Sequence, residues 1–72
     1  MKLYGKSVET FGMSGRVFTR QFYTRETFVA HVKAMRGTIS KYYDGTGEQI
    51  VPSRPMTWSV GNSNHQIQYW IY

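Results

Sequence analysis

Apolar and polar residues alternate along most of this chain and switch once to a helical period. Arg16 to Tyr23 alternates: Phe18 and Phe22 share a parity with Arg16 and Arg20, and Val17, Thr19, Gln21 and Tyr23 take the other. Residues 2–11 carry Leu3, Tyr4, Val8 and Phe11 in a less regular pattern, in which Gly5 suggests a bulge. Gly12-Met13-Ser14-Gly15 between them is a turn signal, so the two runs read as a β-hairpin.

The helical period follows directly. Phe28, Val32 and Met35 recur at the 4–3 spacing of one helix face. Thr24 is an N-cap residue whose hydroxyl accepts from a first-turn N–H, and Glu26 suits the positive end of the helix dipole. Tyr23 and Phe28 stand where a hydrophobic staple would form. Gly37 reads as a left-handed C-terminal cap. The helix is therefore expected over residues 25–36. Ile39 and Tyr42 continue the spacing, so a longer helix to about Tyr43 is the alternative, disfavoured by glycine in mid-helix.

The rest reads as strand. Thr38–Tyr43 and Glu48–Val51 flank Asp44-Gly45-Thr46-Gly47, a hairpin turn signal. Pro52 and Pro55 interrupt the pattern, because proline lacks the ladder donor. Met56, Trp58 and Val60 then alternate with Thr57 and Ser59. After a turn at Gly61-Asn62-Ser63-Asn64, Ile67, Tyr69 and Ile71 alternate with Gln66, Gln68, Trp70 and Tyr72. The expectation is one α+β domain over residues 1–72: an antiparallel sheet of 4–6 short strands in hairpins, with one helix on one face. The expected core is Phe18, Phe22, Phe28, Val32, Met35, Trp58, Val60, Ile67, Tyr69 and Ile71.

Charge changes the picture from fold to partner. The chain carries +5, and the surplus lies in residues 1–36, with seven cations against two carboxylates; residues 37–72 balance. A one-sided positive field attracts a polyanion or an acidic protein surface. Arg25, Lys33 and Arg36 share one flank of the expected helix, and Arg16 and Arg20 lie on the hairpin just before it. Twelve of the 72 residues are aromatic, enough for some rings to be displayed. Trp70 and Tyr72 lie on the strand face opposite the apolar one, and Tyr43 is a third candidate ring. Rings beside cations stack single-stranded nucleic acid, and the same residue types make protein hot spots.

Other chemistries are poorly supplied. Without cysteine there are no disulfides or thiolate metal sites. His31 and His65 could in principle run acid–base RNA cleavage, yet they form no recognisable arrangement with the four carboxylates, so no catalytic or metal residue is assigned. Gly45-Thr46-Gly47 lacks the lysine and hydroxyl residue of a phosphate loop. Neither a leader nor a membrane span is expected, and a cytoplasmic setting follows by default. The sequence reading is a non-enzymatic, cofactor-free binding protein for nucleic acid, using Arg16, Arg20, Arg25, Lys33, Arg36, Tyr43, Trp70 and Tyr72. The alternative is a phage or mobile-element modulator that binds an acidic surface of a host protein. A homodimer through the uncovered sheet face is compatible with either.

Overall fold

The computed structural model describes residues 2–35 and 49–72. Within them the order is β1 (Gly5–Phe11), β2 (Val17–Phe22), α1 (Arg25–Ala34), β3 (Met56–Gly61) and β4 (His65–Ile71). The four strands form one antiparallel sheet in the order β2-β1-β4-β3, and α1 packs on one face. This is the expected α+β architecture. The hairpin expected over Thr38–Val51, the alternative helical extension and Arg36 fall wholly or largely outside the described residues.

Local chemistry closes each element. In the first hairpin the Phe11 N–H donates to the Arg16 carbonyl at 2.9 Å and the Gly15 N–H to the Phe11 carbonyl at 2.8 Å. Gly15 adopts φ +70°, a region open to glycine and strained for other residues. In the second hairpin Asn62 Oδ1 accepts from the N–H groups of Asn64 and His65 at 2.9 and 3.1 Å. Thr24 caps the helix as expected, with the Thr27 N–H donating to its hydroxyl at 3.2 Å. The helix is shorter than its periodicity suggests. Met35 leaves helical geometry at φ −95°, ψ 34°, while its N–H still donates to the His31 carbonyl.

Register sorts the side chains. Three rows face the helix: Phe22–Gly5–Ile71–Met56, Arg20–Ser7–Tyr69–Trp58 and Phe18–Glu9–Ile67–Val60. Phe28 is the hub, its ring 5.3 Å from Phe22, 5.7 Å from Tyr4, 5.8 Å from Tyr69 and 6.1 Å from Trp58. The expected bulge at Gly5 is absent. Gly5 pairs regularly on both sides, and its missing side chain makes room for the Phe28 ring, which would lie 3.1 Å from a Cβ. The Tyr23–Phe28 staple is replaced too, since Tyr23 stays exposed with its hydroxyl toward Gln21.

One expected core residue is corrected. Phe18 is 44% exposed, because β2 is an edge strand and α1 leaves it uncovered from Val17 to Gln21. That also resolves the shared parity of Arg16 and Arg20 with the phenylalanines. Arg20 keeps the helix-side register without a break at an exposed rim beside α1, and Arg16 lies just before β2.

Candidate nucleic-acid interface

The face of the sheet away from α1 is built from the polar parity of every strand. Its rows are Gln21–Lys6–Trp70–Thr57, Thr19–Val8–Gln68–Ser59 and Val17–Thr10–Gln66–Gly61. Amides and hydroxyls dominate, and among the described residues no carboxylate lies in these rows. At one end Lys6 Nζ sits over the Trp70 ring, 4.7 Å from its centre, a cation–π pair that displays both groups on the open side. Tyr23, just past the end of edge strand β2, and Tyr72, just past the end of central strand β4, are each about half exposed.

The sequence-predicted site residues divide between surfaces. Trp70 belongs to the open face, and Tyr72, half exposed, follows the end of β4 with its N–H donating to the Tyr4 carbonyl. Arg20 projects from the other side of β2, close enough to α1 for its charge to act on His31, and Arg16 lies just before β2 beside Phe11, Ser14 and Phe18. Lys33 lies on the outer flank of α1, along a shallow depression of about 540 Å³ shared with Arg25, Glu26, Val29 and Ala30. Arg36 and Tyr43 lie outside the described residues.

Arg25 is engaged within the fold. Its Nη1 donates to the Tyr4 hydroxyl at 2.7 Å and to the Pro52 carbonyl at 2.8 Å, and Nη2 donates to the Val51 carbonyl at 3.1 Å. The planar fork that suits phosphate here ties the start of the helix to the segment entering β3.

Two residues singled out for acid–base chemistry take different environments. His65 Nε2 lies 2.5 Å from Oε2 of Glu9, a carboxylate only 7% exposed, and the imidazole stacks on Phe11 at 4.5 Å. His31 packs against Phe22 at 5.0 Å and Tyr69 at 6.4 Å. Burial, then the charge of Arg20, lowers its pKa from the ordinary 6.5, and the charge of Glu9 opposes the shift. Among the described residues no three His, Asp or Glu side chains converge on a possible metal position. No helix of the described residues is long and apolar enough to cross a membrane.

Sequence reasoning missed Lys6 as the partner of Trp70, and the half-buried Phe11 ring beside the exposed Phe18 ring at the first hairpin. The β1–β4 register that joins Lys6 to Trp70 leaves no local signal in either segment. No protein family, curated protein or solved structure matches this chain.

Proposed function

We propose that this protein is a non-enzymatic, cytoplasmic binding protein that takes up single-stranded nucleic acid across the open face of its sheet. Trp70 and Tyr72 stack bases, Lys6 neutralises a phosphate beside the indole, and Gln21, Gln66 and Gln68 offer amide donors and acceptors. Arg16 and Arg20 hold phosphates where the strand passes over the β2 edge. The observation that carries this reading is the Lys6–Trp70 pair on a sheet face whose described rows hold no carboxylate. Base stacking on sheet-borne rings with nearby cations is a general way to bind unpaired strands, and it tolerates sequence because every base has a π-face. The net charge of +5 adds the long-range attraction.

Titration of a fluorescent single strand at several salt concentrations tests the proposal. Log affinity should fall linearly with log salt, and less steeply in Lys6→Ala and in an Arg16→Ala/Arg20→Ala double variant. A duplex of the same length should bind more weakly, since its bases are not free to stack. Affinity that ignores salt, or a preference for duplex, contradicts the reading.

A second reading, binding to an acidic surface of another protein, draws support from β2. Five of its six residues are exposed, and as an edge strand it presents unpaired backbone groups that a partner strand could extend. That reading predicts a nuclease-resistant complex whose formation an excess of single-stranded oligonucleotide leaves unchanged.

A further inference from the structure

The mouth of the first hairpin holds a small groove lined by Phe11, Ser14, Arg16 and Phe18, with a volume of about 270 Å³. Its walls are fixed from several directions. Phe11 and Phe18 meet edge to face at 5.8 Å and 88°. The far side of Phe11 is backed by the His65 ring, nearly parallel at 11°, and His65 is itself held by Glu9. The floor of the loop is closed by the Gly15 N–H on the Phe11 carbonyl, and Ser14 Oγ accepts from the Arg16 N–H at 3.3 Å.

The chemistry of the lining is specific in kind. Phe18 keeps 44% of its surface exposed, so an apolar ring remains available for stacking. Arg16 is exposed and supplies a planar cation, and Ser14 supplies a hydroxyl. The neighbouring carboxylate, Glu9, is buried and occupied by His65, so it does not compete for the guanidinium at the groove's surface. A flat apolar wall beside a cation and a hydroxyl matches a ligand that is aromatic at one end and anionic at the other. The volume is near the lower end for small-molecule sites, about 300 Å³, which suits one nucleotide unit.

We propose that this groove is a nucleotide subsite: a base stacks on Phe18, and its phosphate pairs with the Arg16 guanidinium. The proposal rests on the nucleic-acid reading and deepens it, because it adds a pocket on the helix side of β2 to the stacking platform on the other side. A strand bound on the open face then crosses the β2 edge and anchors one nucleotide in the hairpin mouth.

The experiment is an NMR titration of the full chain with adenosine 5′-monophosphate, adenosine and inorganic phosphate in turn. The monophosphate is expected to shift the backbone amides of residues 11–18 saturably, with adenosine and phosphate each at least tenfold weaker. Arg16→Ala and Phe18→Ala should each weaken the monophosphate at least tenfold, whereas Arg54→Ala, which removes an exposed cation outside the groove, should leave its binding unchanged. Both lining residues are exposed, so undisturbed resonances of Phe28 and Tyr69 report an intact fold in the variants. Phe18→Trp should restore stacking and bind at least as well as the parent. Shifts confined to the Trp70 region, or phosphate binding as tightly as the monophosphate, overturn the subsite. An oligonucleotide that binds with salt dependence while the monophosphate leaves the hairpin untouched overturns the subsite alone. If neither binds, the nucleic-acid reading falls with it.

Discussion

The Phe28 ring lies directly over Gly5, so close that a Cβ on Gly5 would stand 3.1 Å from two of its carbons and 2.5 Å from the Trp70 carbonyl oxygen. Helix and central strand are thus fitted through a missing side chain. Gly5→Ala should therefore destabilise by about 1–3 kcal/mol, the usual scale for overpacking a core. Urea denaturation followed by far-UV circular dichroism measures it. An alanine variant as stable as the parent would show that Phe28 is not seated there.

Ser7 sits between Arg20 and Tyr69 in the central row, 1% exposed, and its hydroxyl has no hydrogen-bond partner among the described residues. A buried, unsatisfied hydroxyl loses its hydration without compensation. Ser7→Ala is predicted to leave stability unchanged or raise it by up to about 1 kcal/mol. A clear loss in the same denaturation assay would mean that the hydroxyl has a partner after all.

Arg25 separates structural from functional charge. Its three hydrogen bonds hold Tyr4, Val51 and Pro52 around the start of α1. Arg25→Ala should cost about 1–2 kcal/mol, scaled down from charged hydrogen bonds because the site is exposed. The slope of nucleic-acid affinity against salt should stay as in the parent. A reduced slope with unchanged stability would place Arg25 on phosphate instead.

His31 gives the fold a pH dependence with a definite sign. Its folded-state pKa is held below the ordinary 6.5 by burial first and then by Arg20, so the folded protein binds fewer protons than the unfolded chain. Its contribution to stability is complete above pH 6.5 and declines as the pH falls below that value, levelling off once the folded form is protonated too. Thermal unfolding of the parent and His31→Gln should show Tm falling more steeply for the parent between pH 6.5 and the onset of carboxylate titration near about pH 4. Equal slopes would contradict the half-buried placement of His31.

Much of this was legible in the chain because the signals were local. The Thr24 cap, the Phe28/Val32 spacing and the glycine-containing turns at residues 12–15 and 61–64 announce α1 and both described hairpins. The pairing of β1 with β4 was not legible, since it joins opposite ends of the chain and depends on global packing. Phe18 shows the limit of parity: alternation assigns a side of the sheet, but only the helix placement decides whether that side is covered. Arg25 shows the limit of charge counting, because Tyr4 and Pro52, its partners, lie 21 and 27 residues away. Tyr69 and Trp58 were recognisable as core because both flank the same apolar parity, and their rings lie 5.2 Å apart.

The open sheet face as a stacking platform is tested most directly by tryptophan fluorescence. Trp58 is buried beneath the helix side, whereas Trp70 lies on the opposite face beside Lys6. Adding an unlabelled single strand should quench the parent's emission; in Trp70→Ala the quenching should vanish and affinity should fall about fivefold or more, given ~1–3 kcal/mol for one stacked base. Quenching that persists in Trp70→Ala, or binding as tight as the parent's, would contradict it.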